Sequence, residues 1–122
     1  MSIKSKILIA EDDLFLKKIM RNRLEEEGFT VDVATDGEET IKKVQANNYS
    51  LILLDLVMPI KNGFQVLAEL KAMNNQIPVL VFSNLSQAEH KEEVIALGAK
   101  AFYVKSNISI DELTEVVQSY LY

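Results

Sequence analysis

Short apolar runs alternate along the chain with longer stretches in which apolar positions recur every three or four residues. The runs are Ile7-Leu8-Ile9-Ala10, Phe29 to Ala34, Leu51-Ile52-Leu53-Leu54, Val79-Leu80-Val81-Phe82 and Ala101-Phe102-Tyr103-Val104. Runs this apolar read as interior strands covered on both faces, and the amphipathic stretches between them read as helices. Strict alternation of the two predicts an α/β domain, a five-stranded parallel sheet with helices on both faces.

Punctuation residues set the expected boundaries. Strand one spans about Lys6 to Ala10, and the next helix carries Leu14, Ile19, Met20 and Leu24 as its apolar stripe before Gly28 stops it. After the second strand, Asp36-Gly37-Glu38-Glu39 reads as an N-cap with a capping-box glutamate, opening a helix to about Ala46. Strand three is Ser50 to Leu54, and a helix from about Gly63 to Met73 buries Val66, Leu67 and Leu70. Ser86-Gln87-Ala88-Glu89 is a second box, predicting a helix to Leu97 with Gly98 as its stop. Ser109-Ile110-Asp111-Glu112 is a third, opening the last helix to about Tyr120.

Composition narrows the class. The chain is 122 residues long, 48% hydrophobic and 25% charged, enough for one domain with an ordinary core. No run approaches the roughly 18 apolar residues of a membrane span, and the first residues lack the apolar core of a signal peptide. With no cysteine, disulfides and thiolate metal sites are excluded, which fits a cytoplasmic setting. A net charge of −5 has the wrong sign for gripping a nucleic acid backbone, so direct DNA or RNA binding is not expected.

The strands end in polar residues. The first runs into Glu11-Asp12-Asp13, the third into Asp55, the fourth into Ser83 and the fifth into Lys105. In an open parallel sheet these carboxyl ends line the ligand crevice. Converging carboxylates repel unless cations join them, and Mg²⁺ together with Lys105 would serve. Asp13 reads more simply as the N-cap of the first helix. His90, in Glu89-His90-Lys91-Glu92-Glu93, reads as solvated surface.

The ordered set Glu11-Asp12, Asp55 with Met58, Pro59 and Gly63 behind it, Ser83 and Lys105 resembles the receiver domains of bacterial two-component response regulators, over essentially the whole chain. The resemblance is to the single-domain, chemotaxis-type regulators. It implies a flavodoxin-like (βα)5 fold with strand order 2-1-3-4-5, and a single receiver domain over residues 1–122 with no output module. It implies that Asp55 accepts a phosphoryl group from a histidine kinase or phosphotransfer protein, with Mg²⁺ held by Glu11, Asp12, Asp55 and the backbone carbonyl of Val57. Ser83 and Lys105 would contact the phosphoryl group, and Ser83 with Phe102 would form the switch.

Such a protein is a phosphoacceptor that catalyses its own phosphorylation and slow dephosphorylation rather than a conventional enzyme. The expected effector surface is the face of helix 4, strand 5 and helix 5, and a second copy of the chain is a further candidate partner. Val57 and Leu85, both apolar, would shield the acyl phosphate from water. Two positions depart from the family pattern: Ser106 stands where proline is usual after Lys105, and Asn84 follows Ser83 where a small residue is usual.

Competing classes fit less well. A haloacid-dehalogenase-type enzyme needs a second Asp where Val57 stands, and a nucleotide or flavin binder on this fold needs a glycine-rich phosphate loop that is absent. An adaptor that works without phosphorylation remains the alternative.

Overall fold

The computed structural model describes residues 5–122, apart from the side chain of Leu85. In chain order the elements are β1 (Lys6–Ala10), α1 (Leu14–Glu26), β2 (Thr30–Ala34), α2 (Gly37–Ala46), β3 (Leu51–Leu54) and α3 (Gly63–Ala72). They continue with β4 (Val79–Ser83), a 3-10 segment (Leu85–His90), α4 (Lys91–Ala96), β5 (Ala101–Val104), a 3-10 turn (Lys105–Asn107) and α5 (Ile110–Leu121). The strands form one sheet in the order β2-β1-β3-β4-β5, every pair parallel.

Alternation along the strands divides the core in two. Leu8, Ile52, Leu54 and Val81 face α2, α3 and α4, where they meet Ile41, Val66, Leu67, Leu70 and Val94. Ile7, Ile9, Leu53 and Leu80 face the other way and meet Met20 and Leu24 of α1 and Leu113 and Val117 of α5. Both faces of the central strands are therefore covered, which is why their sequences are apolar without a polar alternation.

Most predicted elements form, with informative differences. In α1 the buried positions are Lys17, Met20 and Leu24, whereas Leu14 is 74% and Ile19 is 42% exposed. An α-helix turns about 100° per residue, so positions three and four apart share the face set by Met20 and Leu24, and Leu14 and Ile19 fall off it. Lys17 takes the place on that face and donates from Nζ to Thr35 Oγ1 at 2.9 Å. At α2, Asp36 caps Glu39 N as expected, but Glu39 Oε1 accepts from Thr35 N at 2.6 Å rather than from the cap residue itself.

The helix expected from Ser86 is the largest departure. Its first turns, Leu85–His90, are 3-10, and the α-helix proper begins only at Lys91. The box predicted at Ser109 does form, with Glu112 N donating to Ser109 Oγ and Ser109 N to Glu112 Oε1, each at 3.0 Å. A box that sequence reading passed over opens α3: Gln65 N donates to Asn62 Oδ1 at 2.9 Å and Asn62 N to Gln65 Oε1 at 2.8 Å.

Candidate functional site

Strand register brings the polar strand ends together. Ala10 pairs with Leu54, so Glu11 and Asp55 leave the sheet side by side, and Asp55 N donates to Ala10 O at 3.0 Å. Ser83 is level with Val104 on the far side of β3, which places Lys105 just beyond it. Glu11, Asp12, Asp13, Leu16, Asp55, Val57, Asn84 and Lys105 line the resulting cleft.

Asp55 is 4% exposed and both of its oxygens are engaged. Oδ1 accepts from Leu56 N at 2.8 Å and from the hydroxyl of Ser83 at 2.8 Å, with Val57 N at 3.5 Å, and Oδ2 accepts from Lys105 Nζ at 3.1 Å. Ser83 itself is completely buried, so its hydroxyl has been taken from water to serve this one carboxylate.

Lys105 also reaches Glu11, with Nζ at 2.7 Å from Oε1, a shorter contact than the one to Asp55. The other oxygen of Glu11 accepts from Asp13 N at 3.1 Å. Burial pushes the Glu11 carboxyl up to about 7, the charge on Asp55 pushes the same way, and the bonds from Lys105 and Asp13 only partly oppose them. Burial pulls the Lys105 ammonium down, but the two carboxylates outweigh it and leave it above its usual value. The charge state of Glu11 is thus tied to whatever cation stands in the cleft.

Oxygens of Glu11, Asp12 and Asp55 lie within 4.8 Å of one another. Asp12 is exposed while the other two are buried, so the group opens outward through Asp12. With Glu11 ionised, three carboxylates against one ammonium leave two negative charges, and every donor is oxygen, which fits a hard divalent cation such as Mg²⁺. Asp13, by contrast, is the cap of α1, with Oδ1 accepting from Leu16 N at 3.0 Å.

The loop behind Asp55 is held closely. A Cβ added at Gly63 would lie 2.5 Å from the backbone oxygen of Asp55, and one at Gly37 would lie 2.0 Å from that of Lys61. Only glycine permits these approaches, and the glycine following Met58-Pro59 was the sequence signal for the first.

Phe102, the expected switch aromatic, sits in the core with Val81 and Val94 on the α4 face of the sheet and borders the groove beside β5 and α5 rather than the acid cleft. One expectation is revised. His90 is not simply solvated: it is half-buried, with its ring edge-on to Phe64 at 5.1 Å and Nδ1 at 3.1 Å from Glu93 Oε1. Val57 borders the cleft and is half-exposed, while the side chain of Leu85 lies outside the described residues. No cis peptide bond occurs among the described residues, so Lys105-Ser106 is trans.

Known proteins with this arrangement are numerous. The chain is 37% identical over 116 residues to the transcriptional regulatory protein CiaR of Streptococcus pneumoniae, covering 95% of this chain and 51% of that protein. It thus spans about half the length of such curated relatives. Among solved structures, a Francisella response regulator receiver domain superposes with a TM-score of 0.89 at 33% identity, covering 96% of both chains. TrrA of Thermotoga maritima, solved with Mg²⁺ and beryllium fluoride, superposes with a TM-score of 0.83 at 29% identity, over 97% of this chain and 99% of that one. The sequence model of the response regulator receiver domain matches residues 7–118, so the strand-end cluster and the fold agree on one assignment: the chain belongs to the receiver domains of two-component response regulators.

Proposed function

We propose that Asp55 is the phosphoacceptor of this receiver and that Glu11, Asp12, Asp55 and the backbone carbonyl of Val57 hold the Mg²⁺ that supports the reaction. The observation that carries this reading is the single carboxylate of Asp55, bound on both oxygens by Leu56 N, Ser83 and Lys105 and flanked by two further acids. A carboxylate oxygen of Asp55 attacks the phosphorus of a phosphohistidine on a kinase or phosphotransfer protein. The new O–P bond replaces the P–N bond, and the imidazole nitrogen leaves with the electron pair and takes a proton.

Mg²⁺ supplies charge neutralisation for the phosphoryl oxygens. Lys105 moves its point charge from the free carboxylate to a phosphoryl oxygen, and Ser83 donates to another. Leu56 N keeps the acceptor's carboxyl oriented throughout, so little reorganisation is needed on transfer. The same geometry lets the domain take phosphate from a small donor and lose it slowly to water, with Val57 half-covering the approach.

The effector surface on this reading is the face of α4, β5 and α5. A groove between β5 and α5, lined by Tyr103, Val104, Ile108, Glu112 and Val116, supports it, and a second copy of the chain could dock there as well. Net charge supports a protein partner over nucleic acid. No helix among the described residues is long and apolar enough to cross a membrane.

The test is intact mass after incubation with Mg²⁺ and a small phosphodonor. A labile phosphate adduct is expected on the wild type and none on Asp55→Asn, whose amide lacks the nucleophilic oxygen. An adduct of unchanged yield on that variant would overturn the assignment.

A further inference from the structure

The sheet ends in two edge strands, β2 and β5, and the molecule treats them differently. An edge strand carries a row of unpaired N–H and C=O groups, which will pair with another chain unless something covers them. In a parallel ladder the residues of such a strand alternate, one bonding inward and the next facing outward. A single inward bond therefore fixes the parity.

On β2, Thr30 N donates to Ser5 O at 3.0 Å and Ala34 O accepts from Glu11 N at 3.0 Å, so these residues bond inward while Val31 and Val33 turn outward. That edge is guarded. Lys43 of α2 reaches over it and donates from Nζ to Val33 O at 2.7 Å. A charged side chain on an edge carbonyl is one of the devices that keep a foreign strand away.

On β5, Lys100 N donates to Val79 O at 2.8 Å, so Phe102 and Val104 follow it inward while Ala101 and Tyr103 turn outward. Among the described residues, nothing bonds to the outward N–H and C=O groups of these two. Beside them, between β5 and α5, lies a groove of about 610 Å³ walled by Tyr103, Ile108 and Val116, with the exposed acids Glu112 and Glu115 at its rim. No cation lines it.

We propose that the open edge of β5 takes an extended segment of an effector protein as a sixth strand, and that this segment is basic, with lysine or arginine at every second position. The proposal rests on the face of α4, β5 and α5 being the effector surface. Backbone bonds to Ala101 and Tyr103 hold the segment and set its register. Side chains of an added strand alternate between the two faces of the sheet, so every second one falls into the groove. There a long basic side chain lays its aliphatic stem over Ile108 and Val116 and carries its charge to Glu112 or Glu115. A second copy of this chain is the poorer occupant, because it brings the same acids and the same net charge of −5 to the junction.

The test is NMR with amide exchange on the whole chain, with and without Mg²⁺ and beryllofluoride, adding a short peptide of alternating valine and lysine or its valine and glutamate counterpart. Expected with the lysine peptide is slowed exchange of the Ala101 and Tyr103 amides. The glutamate peptide should bind on the order of tenfold more weakly, and Glu115→Lys, which leaves Glu112 as the one acid, should erase most of that difference. N-methylating the lysine peptide on alternate residues should abolish binding for one parity and spare the other, since it removes bonding N–H groups and keeps the charge. Binding that leaves the Ala101 and Tyr103 amides exchanging freely, or that survives methylation of either parity, overturns the added strand, and equal binding of the two peptides overturns the basic partner. Protection of both amides that grows with protein concentration before any peptide is added, with a doubled mass in sedimentation, gives the edge to a second copy and also overturns the proposal. Beryllofluoride shifts without peptide test the surface separately: their absence from α4, β5 and α5 strikes the effector-surface reading, whereas their presence without strand pairing overturns the added strand alone.

Discussion

β3 and β4 lie side by side and deliver Asp55 and Ser83 to the same cleft, yet the chain leaves them in opposite ways. After β3 it is locked at nearly every step: Leu56 N binds Asp55, Gly63 N donates to Leu56 O at 2.9 Å, and Asn62 and Gln65 cap each other. After β4 it passes through an uncapped 3-10 segment into a six-residue helix whose one fully buried side chain is Val94. Acceptance of a phosphoryl group needs a carboxylate held in place, and signalling needs an element with two arrangements. On the proposed phosphoacceptor reading, the locked loop after β3 meets the first of these requirements.

The sharpest way to break the comparison is a single methyl group on the fixed side. Gly63→Ala would put a Cβ 2.5 Å from the Asp55 backbone oxygen and 2.7 Å from Leu56 Cα, both parts of the loop that the caps prevent from yielding. Glycine to alanine in the first turn of a helix ordinarily helps, by up to about 1 kcal/mol. Here a loss of about 3 kcal/mol in urea unfolding is expected, together with lower phosphate incorporation, because the clash displaces the acceptor itself. A neutral or stabilising result would show that the β3–α3 loop is as yielding as the one after β4.

Charge fixes the same side, and pH should reveal it. Native Glu11 holds its proton to about 7 against an ordinary 4.5, so between those values the folded state binds more protons than the unfolded one. The resulting stability is fully present below 4.5 and is lost as pH rises through about 7. Metal-free protein should therefore be less stable at about pH 8 than at about pH 5, by on the order of 2 kcal/mol. Lys105 is raised in the other direction of charge, and its contribution is lost only above 10.5, outside this window. Mg²⁺ should reverse the trend, since it binds the deprotonated cluster, and Glu11→Gln should flatten it. A metal-free stability that rises over this range would show that Lys105 alone neutralises Glu11.

Where the sequence was legible, one strong local signal agreed with the packing. Ile7–Ala10 is a continuous apolar run buried in the sheet, and Ala101–Val104 is an apolar edge strand of which only Phe102 is buried; both strands lie where the sequence predicts them. Strand ends then located Glu11, Asp55, Ser83 and Lys105, because a parallel sheet sends its carboxyl ends to one side. What escaped depended on partners distant in sequence. That Lys105 sits closer to Glu11 than to Asp55 follows from side-chain packing in the cleft. The two serine boxes make the same point. Ser109 opens a helix anchored by Leu113, Thr114 and Val117, so its cap and its packing agree. Ser86 lies inside the 3-10 segment Leu85–His90, and there the same local spacing does not start an α-helix, which begins only at Lys91.

The smallest effect tests where strain is kept. Among the described residues, two other than glycine have positive φ: Ile60 at 69° and Asn74 at 56°. Asparagine tolerates that region, whereas a β-branched side chain there costs about 1–2 kcal/mol. Ile60 is 73% exposed, so little burial offsets its strain, and it lies in the loop that Asn62, Gly63 and Gly37 pin down. Strain of this kind persists only where the surroundings over-determine the backbone, which is what distinguishes this loop from the one after β4. Ile60→Gly removes the strain but adds glycine's unfolded-state entropy, about 0.5–1 kcal/mol in the opposite direction. A net gain of roughly 0.5 kcal/mol is expected in urea unfolding, with Asn74→Gly near zero or slightly negative. A clear loss in Ile60→Gly would mean that the isoleucine side chain itself braces the loop, and that the fixed side is held by packing at its tip as well as by its caps.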